Sequence, residues 1–351
     1  MQRALNGKGL LTMENSCGEN IHTDKQIDDQ TSSILYNWRA FAILSVAYAH
    51  CSYNNNNVYT ISSSIGLIGV PIFLLLSGYF FNPNETWSSL IQKKMRRIII
   101  PWLLLGTFTY VISLHIESDK VFSLSAAFLW VIGHLTWLYY VPVLCICMIL
   151  LKFWHSEIGC KVWIILCVFM NALYVFDFLS LNGIITAYQN PFNWIGFFTA
   201  GYCFRLKGFK PYVPGRWASV LYSITYAIPV ILLIIVFEKR ELFINYWMPC
   251  SIFVEVFGGL SLYYLSCALN MKHAADVGKN SYFIFFLHMQ IGIGFAAKLF
   301  NLPFLASKEP LQLLAKPIFI IEITYIFAVI AIRVAKIIKR ENDLWLIGIH
   351  L

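Results

Sequence analysis

The feature that most restricts this chain is the recurrence of long apolar runs, each near the ~20 residues a helix needs to cross the hydrocarbon core of a bilayer. Ten are read, at 34–53, 61–81, 98–116, 137–154, 160–179, 192–206, 217–237, 246–269, 281–300 and 317–339, the sixth being short. The expected fold class is therefore all-α, a polytopic integral membrane bundle of about ten transmembrane helices. Composition agrees: 58% of residues are hydrophobic and 13% charged, far from the balance of a soluble domain. Aromatic residues make up 17% and gather at the ends of the runs, where amphipathic rings favour the headgroup region.

Charge gives an orientation. With the N-terminus inside, sixteen Lys and Arg residues fall in inside segments, including Lys93, Lys94, Arg96, Arg97 and the group from Arg333 to Arg340; six fall outside, among them Lys239, Lys298 and Lys316. The positive-inside rule then predicts that both termini are cytoplasmic. Residues 1–33 are polar and carry five acids, which suits a loose cytoplasmic tail rather than a signal peptide, and Met13 is an alternative start. Residues 34–340 are expected to form one membrane domain and 341–351 a short cytoplasmic tail. The net charge of +8 is spread over short patches between apolar runs, so topology and membrane lipids explain it better than nucleic acid. The nine cysteines lie mostly inside apolar runs without metal-ligand or disulfide spacing, so no metal site is expected. The apolar stretch within 117–136 is read as a re-entrant or interfacial helix lidding a cavity.

Ionisable groups inside spans are costly and usually face a cavity or a functional path. Arg39 and His50 lie eleven residues apart in the first run, on nearly the same helix face and roughly 16 Å apart along the axis. A histidine there is suited to accepting a proton near neutral pH. The competing reading makes Arg39 a snorkelling anchor and His50 a hydrogen-bonding wall residue. Glu255 and Glu322 also fall inside spans, where a partner such as His50 or Arg39 would help them. His22, His115, His155, His273 and His350 sit in tails or loops and are expected to be solvated.

Several motifs occur in a fixed order. Arg39 and His50 are followed by Gly69-Val70-Pro71-Ile72-Phe73-Leu74-Leu75-Leu76-Ser77-Gly78-Tyr79 and by Lys93-Lys94-Met95-Arg96-Arg97-Ile98-Ile99-Ile100-Pro101. Later come His134-Leu135-Thr136-Trp137-Leu138 and Gly278-Lys279-Asn280-Ser281-Tyr282-Phe283-Ile284-Phe285-Phe286-Leu287-His288. Together these resemble the acyltransferase-3 family of membrane-bound O-acyltransferases over residues 34–340, with Phe285 standing where the family usually has tyrosine. The resemblance implies a multi-pass enzyme of the bacterial inner membrane. Its donor would be cytoplasmic acetyl-CoA or another acyl-CoA, and its acceptor a hydroxyl of a cell-envelope glycan, polymeric or lipid-linked. It assigns His50 and Arg39 as catalytic.

The basic cluster Lys93, Lys94, Arg96 and Arg97 suits the phosphates of coenzyme A, although a basic loop beside a membrane also serves as a topology signal and attracts anionic lipid. Ser77, Tyr79, His134, Trp137, Ser281, His288, Glu255 and Glu322 are possible site-lining residues. For Ser77, Gly78, Gly66 and Gly69, close helix packing is the competing and preferred reading. Family members with a fused outer domain often carry an acid next to proline near the end of the last span, and no such Glu-x-Pro occurs here. With no such domain expected, transfer is expected to be direct. A transporter of glycan precursors is the alternative from another class, though repeated halves and broken helix pairs are not visible.

Overall fold

The computed structural model describes residues 29–51, 56–116, 121–134, 136–175, 187–208, 211–239, 249–306 and 308–349. Among the described residues 86% are helical and none is in a strand. It begins with α1 (Asp29–His50), α2 (Asn56–Gly66) and α3 (Gly69–Tyr79), then α4 (Trp87–Lys94), which passes through a π-helical turn, Met95–Ile99, into α5 (Ile100–Ile116). A short α6 (Leu124–Val131) leads to α7 (Tyr140–Phe153), α8 (Glu157–Val175) and α9 (Ile195–Leu206). The long pair α10 (Arg216–Lys239) and α11 (Pro249–Leu269) precedes α12 (Lys272–Lys279) and α13 (Ser281–Leu287). A second π-helical stretch, His288–Ile293, connects to α14 (Gly294–Phe300). The chain closes with α15 (Pro303–Ala306), α16 (Glu309–Ile337) and a 3₁₀ segment, Glu341–Ile347.

All ten apolar runs are helical over most of their described length. Six helical stretches are long and apolar enough to cross a membrane: Tyr59–Tyr79, Trp87–Ile116, Arg216–Lys239, Ser251–Leu269, Ser281–Phe300 and Leu311–Ile337, with Trp137–Phe153 shorter. This is an all-α, multi-pass membrane protein. Its lipid-like surface is plain on α10, where Leu221, Ile224, Ile231 and Leu232 are exposed while Ser219 and Ser223 face inward. Segregation of this kind, apolar outward and small or polar inward, is what a bilayer solvent selects.

α1 occupies the centre, packing against α2, α3, α11, α12 and α16. Its polar side chains are satisfied sideways. Trp38 Nε1 donates to the Gly259 carbonyl of α11 at 3.1 Å, Ser45 Oγ to the Ile65 carbonyl of α2 at 2.6 Å, and the Met271 N–H to Asn37 Oδ1 at 3.0 Å. Glycines set how closely its neighbours approach: an added Cβ at Gly66 would meet Ala49, one at Gly69 the Ala42 carbonyl, and one at Gly278 the Tyr36 carbonyl. The same device joins α3 to α9, where Gly78 lies against the Phe198 carbonyl and Gly201 against the Leu75 carbonyl. The preferred reading of Gly66, Gly69 and Gly78 as packing residues is therefore the one the geometry supports.

Within the stretch read as a cavity lid, α6 lies on α5. Trp102 Nε1 donates to the Val131 carbonyl at 2.9 Å and Trp130 Nε1 to Thr109 Oγ1 at 3.2 Å. Residues 117–120 lie outside the described residues, as do 1–28, including Met13 and His22. The segment expected as a C-terminal tail folds back onto α5 and α16, burying Leu344 and Ile349.

The α3–α9 contact leaves no room for larger side chains. Gly201→Val is expected to lower the thermal unfolding temperature in detergent, by an overpacking cost of about 1–3 kcal/mol. Gly215→Ala, where an added Cβ meets open space, leaves it unchanged. Equal unfolding temperatures for the two variants would show that the helices do not approach this closely.

Candidate active site

His50 ends α1, and the fold brings His288 to it: the two rings are centred 5.3 Å apart, tilted by 44°. His288 opens the second π-helical stretch. Inserting one residue into a helical turn re-aims a side chain and frees a backbone carbonyl, and such π turns concentrate at functional sites. Here the freed geometry is used locally, because His288 Nδ1 lies 2.6 Å from the Phe285 carbonyl. A carbonyl only accepts, so Nδ1 carries the proton and Nε2 of the neutral ring is left as an acceptor. That Nε2 is buried with no hydrogen-bond partner among the described residues.

The third member is Trp137, whose ring stands edge-on to His288 at 6.3 Å. It is delivered by a turn that only glycine allows. Gly133 has φ +82°, its added Cβ would strike the Tyr139 backbone, and its carbonyl accepts from Gln189 Nε2 at 2.9 Å. Trp137 Nε1 is a buried donor without a partner among the described residues. Leaving a buried polar atom unpaired costs about 1–3 kcal/mol. Two such atoms on neighbouring rings, an acceptor on His288 and a donor on Trp137, keep hydrogen-bonding capacity for a polar group.

A path of polar side chains runs from Arg39 to the basic end of the bundle. Arg39 is half-buried and lies in electrostatic range of Tyr140 and Tyr36, and Ser77 stands near the Tyr140 hydroxyl. Beyond them Tyr282 donates to the Ile98 carbonyl at 2.8 Å and stands near Cys145 and Tyr140, and Lys94 is in electrostatic range of Arg97, Glu85 and Cys145. The path ends at an open pocket of about 330 Å³ lined by Gln92, Lys93, Arg96, Arg97 and Trp345. Arg96 and Arg97 lie in the first π-helical turn. Lys93 pairs with Glu85, whose carboxyl is held below its usual range by that ammonium and by the Ser89 hydroxyl.

A family model described as an acyltransferase domain, the third acyltransferase type, matches residues 35–334. The chain belongs to the acyltransferase-3 family. It is a membrane acyltransferase, and the His50, His288 and Trp137 cluster lies within the matched span. Among curated proteins and among solved structures, none matches it significantly.

Not every residue singled out from the sequence joins this acyltransferase cluster. Glu322 was expected to need His50 or Arg39; instead its carboxylate pairs with His273 Nε2 at 2.8 Å, both side chains well exposed. His273, expected to be solvated, is thus both exposed and paired. Glu255 is buried, but it lines a separate cavity of about 530 Å³ between α1, α3, α8, α9 and α11, whose lining includes neither His50 nor His288 nor Trp137. Tyr79 faces that same cavity, two residues from Ser77 and therefore on another side of α3. Ser281 is buried at the start of α13, two turns before His288, with its hydroxyl unpartnered among the described residues. His134 is half-buried in the turn that presents Trp137.

Sequence reading missed Tyr140, Tyr282 and Trp345. Tyr140 was detectable, since it follows Trp137 by three residues and such pairs share a helix face. The seven cysteines whose side chains are described are all free. Among the described residues no group of His, Cys, Asp and Glu is arranged to hold a metal ion.

Because the His273–Glu322 pair is exposed, Glu322→Gln is expected to cost under about 1 kcal/mol of stability and to leave acyl transfer near the wild-type rate. Loss of activity at unchanged membrane expression would return Glu322 to the site.

Proposed function

We propose that this acyltransferase moves an acetyl group from cytoplasmic acetyl-CoA to a hydroxyl of a cell-envelope glycan or its lipid-linked precursor, in a bacterial inner membrane. All ten runs would cross the bilayer, with the basic end and both termini at the cytoplasm. The single observation that carries the reading is the His50–His288 pair set beside the unpaired Trp137 donor, inside a bundle whose basic end opens to a cation-lined pocket.

In this reaction the acceptor oxygen attacks the thioester carbonyl carbon, a C–O bond forms and the C–S bond breaks. The hydroxyl proton goes to an imidazole nitrogen and then to the departing thiolate. His50 is assigned as base and His288 Nε2 as the acceptor that holds the hydroxyl or the protonated partner ring. The oxyanion that develops on the carbonyl needs a preorganised donor, and Trp137 Nε1 supplies one. Arg39, with Ser77 and Tyr140, stands where the donor's arm would pass from the basic end, roughly 16 Å of helix below His50. Lys93, Lys94, Arg96 and Arg97 are assigned to the phosphates of the donor.

The test uses purified protein in nanodiscs, labelled acetyl-CoA and envelope glycan acceptors, together with ester content of surface polysaccharide in a deletion strain. His50→Ala is expected to lower transfer by roughly 10²–10⁴-fold, as loss of a general base does. Trp137→Phe, which keeps the ring but removes the donor, is expected to lower kcat by roughly 10²–10³-fold. Full ester restoration by His50→Ala would overturn the mechanism.

A further inference from the structure

The 3₁₀ segment Glu341–Ile347 lies beyond the matched span, yet it is firmly built. Leu344 and Ile349 are buried. Gly348 closes the segment at φ +75°, its N–H reaching the Leu344 and Trp345 carbonyls, and it packs against the Tyr282 ring. Since Tyr282 is itself tied to Ile98, the segment is fixed to the wall of the polar path. What it presents is Trp345, half-buried, with the Arg96 guanidinium 5.0 Å from its ring centre.

The five side chains around this pocket form an unusual set: one flat aromatic ring, one primary amide and three cations. Cations alone would suit any anionic headgroup. The ring and the amide add what a purine nucleotide needs, a face to stack on and a partner with both donor and acceptor for a base edge. Arginine forks complete the set for phosphate oxygens. Lys94, one residue from Lys93, is more buried than the cations that line the pocket and interacts electrostatically with Arg97, Glu85 and Cys145.

We propose that Trp345 and Gln92, with Arg96, Arg97 and Lys93, bind the adenine and phosphate end of the acyl donor, and that the folded C-terminal segment is thereby part of the donor site. This rests on the acyl-CoA reading given above. Trp345 is a binding residue and takes no part in the transfer itself.

The experiment measures binding of adenosine bisphosphate, the nucleotide end of coenzyme A without its pantetheine arm, to full-length protein in phosphatidylcholine nanodiscs and in nanodiscs containing phosphatidylglycerol. Wild type is expected to bind in both lipids. Trp345→Ala is expected to weaken binding roughly ten-fold or more, the loss of one base stack, and Trp345→Phe to recover most of it. In transfer assays Trp345→Ala should raise KM for acetyl-CoA with kcat near wild type, and leave KM for acetyl-pantetheine unmoved. Unfolding temperatures identify a variant that has simply lost its fold, in which case Trp345→Phe carries the comparison against Gln92→Ala.

Equal nucleotide affinity in wild type and a folded Trp345→Ala overturns the proposal. So does a wild type that binds no nucleotide, or one whose Trp345-dependent ligand is phosphatidylglycerol. The two readings fail separately: nucleotide binding through Trp345 without any acetyl transfer sinks the transfer reaction, and transfer from acetyl-CoA indifferent to Trp345 sinks only this site.

Discussion

The rest of the structure depends on satisfying the polar side chains of α1 from the side. A helix carrying Ser33, Asn37, Trp38, Arg39, Ser45 and His50 in an apolar medium must find partners in its neighbours, because hydrocarbon offers none. Trp38 bonds to α11, Ser45 to α2, and Asn37 to the turn before α12, while Ser33 Oγ reaches Asn270 at 2.8 Å. Each such bond is worth only ~0.6 kcal/mol on average in membrane proteins. Their effect is mainly to fix rotation. With these groups turned to their partners, Arg39 is left beside Tyr140 and His50 beside His288.

The same logic explains why the helices around α1 are broken where they are. A continuous α-helix would carry its side chains at a fixed 100° step, whereas a π turn shifts that phase by one residue. The two π-helical stretches fall at Met95–Ile99 and His288–Ile293, which hold Arg96, Arg97 and His288. One break sits at the charged end and the other beside His50. Glycines then permit the close contacts that hold these elements: Gly278 lets α12 touch α1, and Gly292 sits against Ile320 and Thr324 of α16. On the proposed reading, a donor would meet charge at one end and the His50–His288 pair inside.

Arg39 and His50 were legible because helical geometry is local: eleven residues nearly complete three turns, and charge inside an apolar run is conspicuous. His288 and Trp137 were legible only through motif resemblance, and the structure gives them a physical basis in their unpaired Nε2 and Nε1. Glu322 and Glu255 show where local reasoning stops. Each is an acid inside an apolar run, yet one faces outward to His273 and the other lines a separate apolar cavity, because the facing of a helix is decided by its neighbours. Ser77 and Tyr79, adjacent in one motif, diverge for the same reason.

The sequence by itself determined an all-α membrane protein, the placement of its helices, the clustering of basic charge and the pairing of Arg39 with His50 on one face. These follow from hydropathy and a 3.6-residue period, which depend on neighbours in the chain alone. Only the tertiary structure decided that His288 stands 5.3 Å from His50, that Tyr140 and Ser77 come together near Arg39, and that Trp345 lies under Arg96. Those meetings join residues far apart in sequence, and they depend on helix rotation, π-helical phase shifts and glycine contacts, which carry no periodic signal along the chain.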